Sequence, residues 1–541
     1  MKGLSAERDE VRAEGSGRVG VPPRPGGRRP RVPVPLIAML MAVGTALGGC
    51  LVGFGHLGND PDRSTRNIKI ALARALARGE LPFWAEEFGL GSPLAAESHV
   101  AAFYPPNWPA YSALETLTAF DLLMWLHYLG MAASTYLLAR VLGATPWGSA
   151  LAGVAYALSG HVACHSVHEP FYNALAYLPL ALAMVERLMA TGRAIWAVLL
   201  ALALGVELTV GHFQYQFYTI LAALFLAAWR TLADGRPWRR LAGVVGALAW
   251  GFAIAGIQMA LTAEIVLFTK LRMEKTVVMA TLSYPPWHAV ELALPLMFAR
   301  VPGAYWNTTQ ATYRQEACLY VGTAALILAI VGLMARGRSR SFAPWLVLGV
   351  LGLALPAMTR LWLRGYMALL ELPGFGQFRC PGRYTIFTTL ALCLLAGAGL
   401  DRAIDARTFR RGLIAAAVAF VVAVAWAVGY AALPRYRPYL WDGRLATTIG
   451  VGALSWASAV AALIAWRRGT VGAWAPLVVL AAELGVLFYV GTGEWGWHEH
   501  PERGDTVLGR LALAPGVGRV GGDLFDVPIR AGLTPANPYL S

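Results

Sequence analysis

The sequence predicts an all-α polytopic membrane protein with about thirteen transmembrane helices. Its 541 residues are 57% hydrophobic and only 14% charged, whereas a soluble globular protein carries about 25% charged residues. Apolar stretches long enough to cross a bilayer recur along the chain, and short arginine clusters separate them. A chain of this composition has too little polar surface for water, so its apolar excess must face lipid or other membrane helices.

The arginine clusters predict the orientation of the chain. Every second connection is basic, which places the N-terminus inside and the other connections outside. The formal charge of +14 therefore reflects the positive-inside bias and an affinity for anionic membrane lipids, and it does not indicate nucleic-acid binding. The clusters are Arg140; Arg187 and Arg193; Arg230, Arg236, Arg239 and Arg240; Arg336, Arg338 and Arg340; Arg402, Arg407, Arg410 and Arg411; and Arg467 and Arg468.

Composition divides the chain into three predicted regions. Residues 1–33 are rich in Gly, Pro and Arg and are expected to form a disordered basic cytoplasmic tail. Residues 34–491 contain the apolar spans and form the transmembrane domain. Residues 492–541 form a short outer C-terminal region whose abrupt end is compatible with truncation.

Three predicted outer segments are long enough to carry function: residues 55–118, 265–316 and 360–384. The first is expected to contain an amphipathic helix lying along the membrane surface and ending at Pro82. A loop rich in aromatic residues should follow it. The apolar positions of that helix are Ile68, Leu72, Ala75 and Leu76, and its cationic positions are Lys69, Arg74 and Arg78.

Several outer polar residues are candidates for chemistry. Asp60 and Asp62 could bind a divalent cation or act as a base, or could simply cap a helix and face solvent. His161, His165, His168 and Glu169 could bind a metal or a polar or phosphorylated substrate, or could be interfacial residues. Arg379 and Arg383 suit bidentate phosphate binding, or could contact outer lipid head groups.

The five cysteines show neither metal-ligand spacing nor a disulfide framework. Most lie in or beside apolar spans, where a cysteine is usually a small core residue. Cys318 and Cys380 are both predicted outside the membrane, where a bridge between them could form.

Ordered blocks along the chain resemble YfhO-type bacterial membrane proteins over roughly residues 35–535. The first outer loop supplies Glu80-Leu81-Pro82-Phe83-Trp84, Phe88-Gly89-Leu90-Gly91-Ser92-Pro93 and Phe103-Tyr104-Pro105-Pro106-Asn107. Later blocks are Ser283-Tyr284-Pro285-Pro286-Trp287, Arg314-Gln315-Glu316, Gln377-Phe378-Arg379-Cys380-Pro381-Gly382-Arg383-Tyr384 and Gly399-Leu400-Asp401.

The resemblance implies the GT-C class of multi-span glycosyltransferases, which use sugars carried on polyprenyl phosphate. Asp60 would match the acidic residue of the first outer loop and Asp62 an accessory, with Mg²⁺ or Mn²⁺ as a candidate cofactor. The expected function is sugar transfer to a cell-envelope glycan, glycolipid or polymer on the outer face of the bacterial inner membrane. The family's acidic block usually leads into a stretch rich in Gln and aromatic residues, whereas Pro61 and Arg63 follow here, so the choice between the two aspartates stays open.

Other outer polar residues are candidate contacts to the donor or the acceptor. The alternatives are a transporter or flippase of lipid-linked glycans and a non-catalytic envelope-assembly protein. The candidate substrate-binding residues are Arg66, Glu97, His99, Tyr104, His165, His168, Glu169, Arg314, Glu316, Arg379 and Arg383.

Overall fold

A computed structural model describes ten stretches of the chain, and every helix in them is part of one all-α architecture. Asp60, Asp62 and the C-terminal region 492–541 lie outside the described residues, and so do the first 32 residues. The described stretches are 33–49, 65–86, 88, 91–166, 168–268, 277–299, 301–308, 312–335, 342–441 and 443–491.

The described residues of the first half of the chain, from 33 to 268, form eleven helices. They are α1 (Val34–Ala46), α2 (Arg66–Ala77), α3 (Asn107–Ala113), α4 (Thr116–Val141), α5 (Pro146–Ala157), α6 (Gly160–Cys164), α7 (Glu169–Thr191), α8 (Ala194–Leu208), α9 (Phe213–Leu232), α10 (Trp238–Ile254) and α11 (Gly256–Phe268).

Within the described stretches between 277 and 491, the second half adds ten helices and several short 3-10 turns. The helices are α12 (Gly303–Thr308), α13 (Arg314–Ala317), α14 (Thr323–Met334), α15 (Ala343–Leu361), α16 (Leu363–Leu369), α17 (Thr385–Arg402), α18 (Ala406–Ala432), α19 (Arg437–Leu440), α20 (Arg444–Arg467) and α21 (Trp474–Gly491).

Six helical segments of the described chain are long and apolar enough to cross a membrane, and a seventh is obtained if α10 and α11 count as one broken span. These two helices meet at an angle of 73°. Four shorter apolar helices lie in α1, α8, α14 and α21. The membrane class follows from these segments, whereas the expected count of about thirteen spans stays a prediction.

Close backbone contacts hold α17 at the centre of the bundle, between α5 and α14. A Cβ on Gly399 would lie 1.8 Å from the carbonyl oxygen of Leu328 in α14, so only glycine fits there. Asp401, two residues later, accepts a hydrogen bond from the backbone N–H of Thr145 at 2.8 Å, just before α5. The Gly399-Leu400-Asp401 block thus joins α17 to both neighbours.

The predicted first-loop helix is present as α2, but one cationic position lies on its buried face. Leu72 and Ala75 are buried, as the apolar spacing predicts. Lys69, which the sequence places on the polar side, has no exposed surface. The helix ends at Ala77, before Pro82, and its proposed place at the membrane surface stays a prediction.

The rest of the first outer loop is shaped by turns, as its Gly, Pro and aromatic content predicts. Ala85 and Ser92 exchange two backbone hydrogen bonds of 2.9 Å, which close a short loop. Helix α11 fastens this region: the Gln258 amide donates to the carbonyl of Ala95 at 2.9 Å, and the Thr262 hydroxyl to that of Ala96 at 3.0 Å. Helix α11 therefore packs against the predicted first outer loop.

Candidate functional site

The segment before α17 brings Arg383 against α13. Cys380 has a left-handed backbone (φ 65°), and Pro381 begins a 3-10 turn that runs to Tyr384. A Cβ on Gly382 would lie 2.3 Å from the carbonyl oxygen of Glu316. Because Gly382 has no side chain, the backbone approaches α13 closely and Arg383 can reach the Glu316 carboxylate.

Arg383 and Glu316 form a bidentate ion pair. The Arg383 Nη2 donates to Glu316 Oε1 at 2.8 Å, and Nε lies 3.0 and 3.1 Å from the two carboxylate oxygens. The remaining Nη1 donates to Gln214 Oε1 at 2.7 Å. The Arg383 side chain is 12% exposed and that of Glu316 is 5% exposed. The fork geometry fixes the guanidinium plane, as it would on a phosphate.

The charges around Glu316 set its protonation state. Burial by itself raises the pKa of the Glu316 carboxyl, but the Arg383 charge and the hydrogen bond from His165 outweigh it and hold this pKa below its ordinary value. The carboxylate therefore stays ionised at neutral pH, so Arg383 keeps its ion-pair partner.

His165 links this ion pair to α6. Its Nδ1 lies 2.7 Å from the carbonyl oxygen of His161, and its Nε2 lies 3.4 Å from Glu316 Oε2. Both ring nitrogens of His165 thus lie near oxygen atoms. His161 itself contacts the Tyr215 hydroxyl through Nε2 at 2.8 Å and Thr385 through Nδ1 at 3.1 Å.

An aromatic wall covers one face of the Arg383 guanidinium. The Phe171 ring lies 4.5 Å from the Arg383 Cζ, within cation–π range. The rings of His168 and His212 lie 4.5 and 3.8 Å from the same ring, and that of His165 lies 5.4 Å away. We call Arg383, Glu316, His165, Gln214 and Phe171 the arginine site.

A second buried ion pair joins Lys69 of α2 to Glu169 of α7, which lies two residues before Phe171. Lys69 Nζ lies 3.0 Å from Glu169 Oε2 and donates to the carbonyl of Val100 at 2.8 Å. Glu169 also accepts from the Asn173 amide at 3.2 Å. Burial lowers the pKa of Lys69, and the nearby Glu169 carboxylate opposes this change. The pair fastens α2 and the first outer loop to the helix that carries Phe171.

Tyr104 closes the end of an apolar groove between α4 and α7. Its hydroxyl lies 2.5 Å from His127 Nε2 and 2.9 Å from the Tyr177 hydroxyl. The groove has a volume of about 440 Å³. Its other walls are apolar or small side chains, among them Leu123, Leu126, Gly130, Ala133, Leu137, Ala176 and Leu180.

The remaining candidate residues lie around these clusters. Glu97 and His99 are exposed, and the Glu97 carboxylate accepts from the backbone N–H of His99 at 3.2 Å. Arg66 is buried at the start of α2, and Arg314 lines a small cavity beside Cys164 and Cys318.

Arg379, in contrast, contacts Gln214 through its backbone carbonyl. Its side chain is exposed, while its carbonyl accepts from the Gln214 amide at 2.8 Å. His165, Glu316 and Arg383 therefore meet directly, and Glu169 joins a separate ion pair on the same helix as the aromatic wall.

No group of three or more His, Cys, Asp or Glu residues within the described stretches is arranged to hold a metal ion. The His161 and His165 rings are tilted by 32° with centroids 4.7 Å apart, but their nitrogens face Tyr215, Thr385, Glu316 and a backbone carbonyl. The proposed cation at Asp60 and Asp62 falls outside the described residues. The four cysteines of the described stretches, which include Cys318 and Cys380, are buried free thiols, so Cys318 and Cys380 are not bridged there.

The sequence did not show that Lys69 and Phe171 take part in these contacts. Lys69 has the sequence spacing of a solvent-facing cation on an amphipathic helix, and its burial depends on Glu169, which lies one hundred residues later in the chain. Phe171 follows the His-rich block directly, but nothing in its spacing shows that Arg383 packs on its ring. Gln214 also belongs to the site, since its amide oxygen accepts a hydrogen bond from Arg383 Nη1 at 2.7 Å.

Comparison with known proteins decides the family. The family model described as "Bacterial membrane protein YfhO" matches residues 81–505. The chain belongs to the YfhO family. Comparison of this YfhO protein with curated protein sequences finds no match.

Two solved structures share the fold of this YfhO chain. ArnT from Cupriavidus metallidurans bound to undecaprenyl phosphate aligns with a TM-score of 0.52 at 17% identity, over 92% of this chain and 85% of that one. The apo state of the same protein gives a TM-score of 0.50 at 18% identity, over 92% and 84%. At this identity the likeness shows a shared fold.

Proposed function

We propose that this YfhO protein is a membrane glycosyltransferase that transfers a sugar from a polyprenyl-phosphate-linked donor to a cell-envelope glycan, glycolipid or polymer. The observation that carries the proposal is the arginine site. A nearly buried guanidinium is held in a fixed plane by Glu316 and Gln214, with the imidazole of His165 beside it. Such a site suits the phosphate that leaves in this reaction.

The groove that ends at Tyr104 supports a lipid-linked donor. It lies between α4 and α7, two of the segments that are apolar enough to cross a membrane, and most of its walls are apolar. An isoprenoid chain could lie along it with its phosphate near Tyr104 and Tyr177. Glu169, Phe171 and Tyr177 all belong to α7, so one helix connects the groove with both ion pairs. The fold shared with ArnT, which was solved with undecaprenyl phosphate, agrees with this arrangement.

In the proposed reaction, an acceptor hydroxyl attacks C1 of the sugar while the bond from C1 to the phosphate oxygen breaks. The hydroxyl proton passes to a first-loop carboxylate, Asp60 or Asp62, acting as a general base. Arg383 and His165 stabilise the charge that grows on the departing polyprenyl phosphate. Mg²⁺ or Mn²⁺ at the two aspartates is part of the proposal as a cofactor, and no step here depends on it.

The proposed orientation places the arginine site on the outer face of the bacterial inner membrane, with the N-terminus in the cytoplasm. The alternation of arginine clusters supports this topology. In it, residues 1–33 are the cytoplasmic tail, residues 34–491 the membrane domain and residues 492–541 a short outer region.

The test is sugar transfer by the full-length chain in proteoliposomes with a panel of polyprenyl-phosphate sugars and bacterial envelope glycans as acceptors. The proposal predicts transfer by the wild type, with release of polyprenyl phosphate, and a loss of at least a hundredfold in Arg383→Ala. Arg437→Ala, which alters an exposed arginine of α19, is the matched control. Movement of an intact lipid-linked sugar across the bilayer without transfer would favour a flippase and overturn the proposal.

A further inference from the structure

Two cysteines lie side by side where α6 packs on α13. Cys164 is the last residue of α6, and Cys318 directly follows α13. Their thiols are hydrogen-bonding neighbours, although both are free in the structure. They also lie next to the arginine site, because Cys164 precedes His165 and Cys318 follows Glu316 by two residues.

The backbone around the two thiols is packed tightly. The N–H of Gly160 donates to the carbonyl of Tyr320 at 2.6 Å. A Cβ on Gly160 would lie 2.4 Å from Cys318 Sγ, so the absence of a side chain there lets α6 approach the cysteine. His165 and Glu316 add a side-chain contact between the same two elements. Three contacts therefore join α6 and its following residue to the segment from Glu316 to Tyr320.

We propose that Cys164 and Cys318 are a reversible disulfide pair that locks α6 to α13 and thereby fixes the distance between His165 and Glu316. The inference rests on the proposed orientation, since the outer face of a bacterial inner membrane is where disulfides persist. The bond would link two segments more than 150 residues apart in sequence, and such long loops give a disulfide its largest effect on stability.

The two thiols line the same small cavity. It has a volume of about 20 Å³, room for about one water molecule, and Leu484 and Phe488 of α21 line it as well. Arg314 lines the same cavity. A hydrogen bond from the Cys318 thiol and the Arg314 charge lower the pKa of the Cys164 thiol against the opposing effect of burial, which favours Cys164 as the attacking sulfur. Access for an oxidant larger than water requires the contact with α21 to open.

The chemistry is thiol–disulfide exchange with a small-molecule disulfide such as oxidised glutathione. The Cys164 thiolate attacks one sulfur of the oxidant and releases one reduced thiol, which leaves a mixed disulfide on Cys164. The Cys318 thiolate then attacks the Cys164 sulfur and releases the second thiol. The protein loses two electrons and two protons, and the oxidant gains both.

The experiment uses the full-length chain in lipid nanodiscs, first reduced and then incubated with oxidised glutathione. Remaining thiols are alkylated, the protein is digested, and cross-linked peptides are identified by mass spectrometry. We expect a Cys164–Cys318 linkage and an apparent Tm that rises by several degrees on oxidation and falls back with reductant. Cys164→Ser should abolish both effects, whereas Cys393→Ser, which alters a buried thiol of α17, should keep them.

Two results would overturn the inference: both thiols still alkylated after oxidation, or Cys318 linked to a different cysteine. The linkage map needs only the wild type, so it decides the matter even if Cys164→Ser does not fold. Because neither readout depends on sugar transfer, failure of the disulfide and failure of the proposed enzyme activity are distinguishable.

Discussion

Arg383 and Glu316 stand 67 positions apart in sequence, yet the Arg383 Nη2 lies 2.8 Å from Glu316 Oε1. Both side chains are largely buried, so their mutual attraction offsets part of the cost of removing each charge from water. Removing one partner of such a pair leaves an unpaired buried charge, which costs about 3–5 kcal/mol in free energy of unfolding. The pair therefore stabilises the junction of α13 and α17, and also holds the guanidinium in place for a ligand.

Glu316→Gln should lower the apparent Tm and release Arg383 from its fixed plane. We expect a loss on the order of 3 kcal/mol in unfolding free energy and weaker binding of polyprenyl phosphate. Thermal melting in detergent and native mass spectrometry with the lipid measure the two effects. The double variant Arg383→Met, Glu316→Leu should recover much of the stability but no lipid binding. Equal stability losses in the single and double variants would contradict the ion-pair explanation.

The stability that Glu316 supplies should depend on pH in one direction. Its folded-state pKa is held below the ordinary value of 4.5, so its contribution is present above pH 4.5 and is lost as the pH falls through the folded-state pKa. The difference in Tm between wild type and Glu316→Gln should stay constant from pH 7 to about pH 5 and shrink below about pH 4.5. Melting curves across this range check it. A difference that shrinks already between pH 7 and pH 6 would contradict the depressed pKa.

The two ion pairs formed by cations of the predicted first outer loop should differ sharply in their contribution to the free energy of unfolding. Lys69 and Glu169 are buried, whereas Arg78 and Glu80, 2.7 Å apart, are 51% and 58% exposed. Lys69→Ala should lower the Tm markedly and speed proteolysis of the first outer loop, because Glu169 stays buried without its cation. Arg78→Ala is the matched control and should change little, because exposed pairs contribute about 0–1 kcal/mol. Similar behaviour of both variants would argue against an anchoring role for Lys69.

Candidate polar residues such as His165, Glu316 and Arg383 could be selected from the sequence because their chemistry is local. Histidines and arginines at predicted helix ends are visible without a structure, and His165, Glu316 and Arg383 do meet. The pairing itself was not predictable, because it depends on how α6, α13 and the segment before α17 approach one another. Gly382 controls that approach, and a glycine in a Pro-Gly pair normally indicates only a turn.

Hydrophobic periodicity predicted the first-loop helix, but it placed Lys69 on the wrong face of that helix. Lys69 belongs to the polar side of the pattern, and its burial requires a distant carboxylate that no local rule includes. The arginine clusters were likewise interpreted as orientation signals alone. Arg230, a member of one cluster, in fact pairs with Glu186 at 2.7 Å and is buried. Charge patterning therefore predicts a topology, but it does not reveal which cations also join helices.

The groove between α4 and α7 should select for lipid length. A Cβ on Gly130 would lie 3.8 Å from the Cβ of Ala176, so a large side chain there must fill the groove. Gly130→Trp should weaken binding of a long-chain polyprenyl phosphate at least tenfold and leave binding of a short isoprenyl phosphate unchanged. Native mass spectrometry with lipids of two lengths measures this. Val198→Trp, on the exposed face of α8, is the control. Equal weakening of binding for both lipids would mean that the isoprenoid chain does not lie in this groove.

The choice between Asp60 and Asp62 is open to a direct test. A general base that accepts the acceptor proton contributes about 10²–10⁴-fold to the rate, so the catalytic residue should lose that much in its Asn variant. We expect Asp60→Asn to reduce the rate of transfer in this range with little change in polyprenyl-phosphate binding. Asp62→Asn should reduce it less. The binding measurement separates loss of the base from loss of the site, because Arg383 and Glu316 remain intact in both variants. Full activity in both variants would mean that the proton passes to another group. Neither Asp60 nor Asp62 would then be the general base.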